Sequence, residues 1–443
     1  MSNQMFADIR ALACLFVFWK LLLLCIAYAS PGPGYDTSTN LLLLRAQSAQ
    51  SENTLLAHLA KRLVSKLVRW DALYFISVAQ RGYLFEQEWA WGWGYTRLLS
   101  LISKVIPGAA LSPLYAQAYS GVIISHVAHL SSVIILYGLV HHLPIMDRKQ
   151  RRKVAFVAAS LHIFSTAGLF LSAPYSESLF SMLNFLGVLL HARIPWEMPL
   201  EKYGPFYLLS LLLSGACFGL ATTVRSNGLF SGLVYFHHVY MLFHSRINLR
   251  TIVTIVVIGI SAAMILSASK LRPWCTRTLP SIYSWVQEHY WNVGFLRYWT
   301  VSNIPLFLLA LPMLFVLIST GLTAPSLWFE QPGLDRKKDY DHTMVYISCL
   351  ALPQILLALL ALTTFHVQIV NRIATGYPIW YIVLAAVMVS PSRAFEDGKV
   401  GRSQLERITN FFSKPATQEL IFRGMIMYSI IQGGLYASFM PPA

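Results

Sequence analysis

Uninterrupted apolar runs of about 20 residues recur along this chain, and nothing else limits its fold so tightly. A hydrocarbon core about 30 Å thick takes about 20 helical residues to cross. Inside it, only helices or closed barrels satisfy every backbone group. The runs are continuous rather than alternating, which selects helices over barrel strands. Spans are expected at 8–28, 113–143, 154–171, 176–193, 206–224, 228–245, 251–269, 304–320, 343–364, 374–391 and 422–439, about 11 in all. The pair flanking Arg225 also reads as one long bent element over 206–245. The fold class is therefore all-α, one polytopic helical membrane domain over 1–443. Only 12% of the residues are charged, half the usual load of a soluble domain (about 25%).

The net charge of +15 does not point to nucleic acid, because of where it lies. Lys and Arg crowd short loops: Arg148-Lys149-Gln150-Arg151-Arg152-Lys153, Arg246 with Arg250, Arg336-Lys337-Lys338, and the stretch from Arg393 to Lys414. Such clusters orient spans with the basic loops in the cytosol. The amino terminus then faces the cytosol, and the segments 29–112 and 270–303 face the lumenal side. The first span lacks a small-residue cleavage site and reads as a retained anchor. Cys14, Cys25, Cys217 and Cys349 sit in apolar runs and Cys275 stands alone, so neither a disulfide framework nor a zinc spacing results. No repeat of 20–50 residues is visible, which weakens an inverted-repeat transporter.

The first lumenal segment, 29–112, carries the densest chemistry. Leu56, Leu59, Leu63, Leu67 and Trp70 recur at helical spacing, opposite His58, Lys61, Arg62, Ser65, Lys66 and Arg69. This amphipathic helix either lies in the membrane interface or packs as a cap on the bundle. Asp71 follows it, between Trp70 and Ala72-Leu73-Tyr74-Phe75, where apolar neighbours should raise its proton affinity. A carboxylate so tuned suits a general base, although an Asp at a helix start is also a common cap. Glu86 and Glu88 precede Trp89-Ala90-Trp91-Gly92-Trp93-Gly94-Tyr95. Acids followed by alternating aromatics and glycines fit a sugar cradle, and equally an interfacial aromatic belt.

Further along, Glu177 opens an apolar helix after Ser172-Ala173-Pro174-Tyr175-Ser176. It is either a favourable first-turn acid or a substrate-binding carboxylate. Arg225, Arg297 and Arg372 are arginines at or near membrane depth, which pair structurally or hold a lipid phosphate. Trp291, His366 and Gln368 lie in the same aromatic neighbourhoods of sequence. His366 has no second His at metal-ligand spacing, so no protein-bound metal is expected. The pairs His141-His142 and His237-His238 are expected at span ends, in the interface.

Taken together, Trp70-Asp71-Ala72-x-Tyr74-Phe75, Gly82-Tyr83, Glu88-Trp89-Ala90, Ser172-Ala173-x-Tyr175-Ser176-Glu177-Ser178, Arg225-x-Asn227-Gly228, the run from Tyr290 to Trp299 and Phe365-His366-Val367-Gln368 resemble the GPI mannosyltransferase II family, of the PIG-V type, in a fungal form. The resemblance implies a GT-C membrane glycosyltransferase of the endoplasmic reticulum with its active site lumenal. It implies dolichyl-phosphate mannose as donor, no cofactor, and transfer of the second, α1,6-linked mannose to the GPI precursor. It also implies a small accessory membrane subunit as partner. By motif, Asp71 would be the base and Glu88 the second catalytic acid. Trp70, Glu86, Trp89, Glu177, Arg225, Trp291, Arg297, His366, Gln368 and Arg372 would bind substrate. Tyr74 and the run Trp91-Gly92-Trp93-Gly94-Tyr95 depart from the family pattern, which has His and a proline-containing version there. The competing readings are a transporter or scramblase for a lipid-linked sugar, and a related GT-C transferase with another acceptor.

Overall fold

The computed structural model describes residues 3–32, 36–44, 55–106, 113–143, 148–195, 198–243, 245, 247–267, 282–327, 337–389 and 404–440. Among these residues the chain is helical and contains no strand. A long first helix, α1 (Asn3–Ala29), is followed by four shorter ones: α2 (Ser38–Leu44), α3 (Leu55–Leu67), α4 (Asp71–Arg81) and α5 (Trp93–Ser103). The bundle continues with α6 (Pro113–His142), α7 (Arg148–Ile163), α8 (Glu177–Ala192), α9 (Pro205–Val224), α10 (Phe236–Leu242) and α11 (Leu249–Ser267). After α12 (Ile282–Trp291) come α13 (Ile304–Leu327), α14 (Lys337–Thr363), α15 (Val370–Ile373), α16 (Ile379–Val389), α17 (Gln404–Ser413) and α18 (Pro415–Ala437).

Eleven separate spanning helices do not emerge among the described residues. Five helices are long and apolar enough to cross a membrane: α1, α6, α9, Val301–Pro325 and His342–Thr363. Val367–Gly376 and Ile379–Val389 make a sixth if taken together, bent by 76°. α8 and Leu249–Met264 are apolar but shorter. The span expected at 154–171 is instead α7, which already begins inside the basic run, and a separate 3-10 turn, Gly168–Leu171. At 228–245 there is a 3-10 stretch, Ser226–Tyr235, and then the short α10. The break falls at Arg225, whose extended backbone (φ −148°, ψ 131°) ends α9. Gly228 then lies against the backbone of Ala221 and Thr222, with no room for a side chain. The stretch from Arg393 to Lys414, expected as a loop, contains α17. His237 and His238 are buried, not interfacial, with ring contacts to His191 and Tyr346.

The two ends of α1 differ in chemistry. Near its start, Asp8 accepts from Arg152 Nε (2.6 Å), Arg152 Nη2 (2.7 Å) and the Tyr137 hydroxyl (2.8 Å). This joins the basic start of α7 to the amino-terminal end of α1. A helix of 27 residues is about 40 Å long, so its other end lies on the far side of the bundle. There α3 packs on α1 and α18. The Arg62 guanidinium lies 4.6 Å from the Tyr28 ring centroid, and Lys66 Nζ donates to Pro31 O at 3.1 Å. With Val64 and Leu67 buried, α3 packs one face against the bundle.

Candidate active site

Helix breaks at this far end bring distant polar residues together. Trp70 takes a left-handed backbone (φ 52°), which costs a bulky residue about 1–3 kcal/mol. The kink lets α4 begin at Asp71 beneath Tyr175. The Asp71 amide donates to the Tyr175 hydroxyl (3.1 Å), which donates in turn to Arg69 O (3.2 Å). Tyr436 of α18 braces the same turn by donating to Leu67 O at 2.7 Å.

The carboxylate of Asp71 does not cap its helix. Its Oδ2 meets Arg372 Nη1 at 3.0 Å, and 24% of the side chain stays exposed. Arg372 Nε lies 2.7 Å from Glu177 Oε1, and the same oxygen is 2.8 Å from Arg225 Nη1. Arg225 Nη1 also donates to Ser176 Oγ (3.1 Å). The chain Asp71–Arg372–Glu177–Arg225 thus alternates acid and base, and Glu177 is its buried centre, 1% exposed. Arg372 stacks over Phe170 and Tyr175, with 5.1 Å and 5.2 Å to the ring centroids. Burial raises the Asp71 pKa above the usual carboxylate value; the Arg372 charge opposes this and the Glu177 charge adds to it.

Two devices hold this chain in place. Lys20, buried in α1, donates to Leu171 O (2.8 Å) and Ser172 Oγ (2.9 Å), and so fixes the loop that ends in Ser176 and Glu177. Glycine lets the first loop touch the end of α9. A Cβ on Gly92 would meet Val224 O at 2.1 Å, and one on Gly94 would meet Thr223 Oγ1 at 2.2 Å.

From Tyr175 a line of ring contacts runs outward through Phe75 (6.0 Å), Trp91 (5.4 Å), Trp291 (5.9 Å), His366 (6.4 Å) and Tyr298 (4.9 Å). Tyr74 stacks on Trp91 at 5.7 Å. Gln368 accepts from the Tyr298 hydroxyl at 3.3 Å. The wall therefore joins the first loop to the α12–α13 and α14–α15 connections. Sequence reasoning singled out Trp89, which stacks on Tyr83 (4.3 Å), and passed over Trp91, the joint of the wall. The alternation of Trp89, Trp91 and Trp93 gave no means of choosing among them. Tyr175 was likewise missed, although its place just before Ser176-Glu177 was a usable signal.

Other expected site residues lie apart from the acid–arginine chain. Glu88 is buried and bound within its own loop: both oxygens meet Arg81, and Oε2 accepts from the amides of Leu84 (3.0 Å) and Phe85 (3.2 Å). Glu86 accepts from the Tyr290 hydroxyl at 2.9 Å, in the open. Arg297 pairs with Glu288 at 3.1 Å and is half exposed, so of the arginines considered for phosphate it is not one that meets Asp71. Trp70 meets the Phe439 ring edge-on at 5.2 Å. No group of three metal-ligating side chains occurs among the described residues.

Fold and site together define a helical membrane protein with a buried, charge-alternating centre at one end of its bundle. The family model for Mannosyltransferase (PIG-V) matches residues 9–443, and the chain belongs to that family of membrane mannosyltransferases. It is 38% identical to the GPI mannosyltransferase 2 of Aspergillus oryzae, covering 98% of this chain and 96% of that protein. With the protein of the same name in Aspergillus fumigatus it shares 36% identity over 98% and 93% of the two chains. In Candida albicans the corresponding figures are 29%, 97% and 98%. The apo crystal structure of the Archaeoglobus fulgidus oligosaccharyltransferase superposes with a TM-score of 0.49 at 12% identity; it covers 96% of this chain, which spans 57% of that one.

Proposed function

We propose that this protein is a GPI mannosyltransferase that moves the second mannose, in α1,6 linkage, from dolichyl-phosphate mannose to the GPI precursor. The observation that carries the mechanism is the half-open Asp71 carboxyl, pinned on one oxygen by Arg372 and of raised proton affinity. In the proposed step Asp71 takes the proton of the acceptor 6-hydroxyl as that oxygen bonds to the anomeric carbon. The carbon–oxygen bond to the lipid phosphate breaks on the opposite face, inverting the centre, and the phosphate leaves with the bonding pair. Arg372 and Arg225 hold Glu177 and orient Asp71. The ring wall of Trp91, Trp291 and His366 offers flat faces to the sugars. Glu88 positions the loop and takes no proton in this reading.

The site faces the lumen of the endoplasmic reticulum in this proposal, with 29–112 and 270–303 as lumenal segments. The basic start of α7 supports this, since it lies at the opposite end of α1 from Asp71. A small accessory subunit is the expected partner. Purified protein in liposomes, given donor and a one-mannose GPI precursor, should yield an α1,6-linked two-mannose product. Flux of lipid-linked sugar without any mannose transfer would favour the transporter reading instead.

A further inference from the structure

The Asp71–Arg372–Glu177–Arg225 chain sets two carboxylates against two guanidiniums, so it holds no surplus positive charge for a lipid phosphate. Another arginine stands two positions before Asp71. Arg69 is only 2% exposed, yet its Nε and Nη1 have no hydrogen-bond partner among the described residues. Asp36, the acid whose field reaches it, accepts from Ser38 N (2.7 Å) and Ser38 Oγ (2.6 Å) on Oδ1 and forms no ion pair with Arg69 among the described residues. A buried guanidinium without an acceptor is strongly unfavourable, so among the described residues this group is one partner short. Its flat face is taken: the Phe439 ring centroid lies 4.6 Å from Cζ. Stacking of that kind leaves the in-plane N–H donors, the side that takes two phosphate oxygens at once. Arg62 and Lys66 carry the positive edge back along α3 towards the end of α1. Trp70, the next residue in the chain, and Phe439, whose ring covers the guanidinium face, both hold left-handed backbones (φ 52° and 58°), a conformation each would leave at a gain.

We propose that Arg69 binds the phosphodiester of a lipid-linked substrate, on the turn that leads into Asp71, where the Tyr175 hydroxyl bridges Arg69 O and Asp71 N. This rests on the transferase reading and adds the missing counter-charge to it. Donor and acceptor both carry a phosphodiester, and the experiment separates them. Full-length protein in phosphatidylcholine nanodiscs is titrated with each lipid substrate in turn, as wild type, Arg69→Lys and Arg69→Gln. Melting is followed in parallel with dolichyl phosphate or phosphatidylinositol added alone. Arg69→Gln should raise KM for one of the two substrates about 10–100-fold, the scale of a charged hydrogen bond, and leave kcat nearly unchanged. Arg69→Lys, keeping charge but losing the fork, should fall between. The lipid whose KM moves should also be the one that stabilises wild type and no longer stabilises Arg69→Gln. Unchanged KM values for both lipids, with only kcat or the melting temperature reduced, would overturn the proposal. If Arg69→Gln does not fold, the KM of Arg69→Lys decides by the same criterion. If wild type transfers no mannose at all, the transferase reading fails, and the melting shifts still judge Arg69.

Discussion

Asp71 at the start of α4 and Glu88 in the turn after it each face an arginine, and their proton affinities move in opposite directions. Burial pushes both upward. For Glu88 this is outweighed by Arg81 and the amides of Leu84 and Phe85, and its pKa falls below the ordinary value. Asp71 meets Arg372 through one oxygen and feels the repulsion of Glu177, so burial prevails and its pKa rises. The number of donors around the carboxylate separates the two. A carboxylate ringed by donors is a fastener for its loop, whereas one left short of them keeps an oxygen for a proton.

The largest test of this contrast is Asp71→Asn, which should lower mannose transfer in proteoliposomes by about 10²–10⁴-fold while the protein still inserts and folds. Transfer at the wild-type rate would remove Asp71 from the chemistry. Next, Arg372→Gln should slow transfer by roughly 10–100-fold, the scale of a lost charged hydrogen bond. It should also move the acid limb of the kcat/KM profile to higher pH. The sign follows from Arg372 favouring the ionised carboxylate: without it Asp71 holds its proton more tightly, and activity is lost sooner as pH falls. An acid limb that moves the other way would contradict the arrangement. Smallest in its effect on chemistry is Glu88→Gln, which should cost about 1–3 kcal/mol of stability, seen in thermal melts, and leave turnover near wild type. Because the folded pKa of Glu88 is depressed, that stability is complete above the unfolded value of about 4.3 and is lost as pH falls through the folded one. A variant that melts normally but does not turn over would make Glu88 a reacting group and end the contrast.

Much of this molecule was readable from local pattern. The apolar runs marked α1, α6 and α9 closely, because the transfer of a helix into hydrocarbon depends on its own composition. The breaks at Arg225 and before 374 fall where the expected spans leave gaps; pattern failed just beyond them, where Ser226–Tyr235 is 3-10 rather than α-helical and the helix expected from 374 begins only at Ile379. Backbone breaks of this kind are stabilised by partners elsewhere, such as Ser176 and Glu177 for Arg225, which no window of sequence contains. The same limit hid Arg69, which looked like one more basic residue on an amphipathic helix. Burial without an acceptor sets it apart from its neighbour Lys66, which is buried but donates to Pro31 O.

By itself, the sequence determined that the chain is a helical membrane protein, that its scarce acids gather outside the spans, and that aromatics surround them. Those properties follow from residue-by-residue transfer free energies and short-range periodicity. The tertiary structure alone decided which arginine meets which acid: Arg372 reaches Asp71 across 301 positions, while Arg297 turns to Glu288. Ion-pair choice depends on where helices break and cross, and so on contacts between segments far apart in the chain.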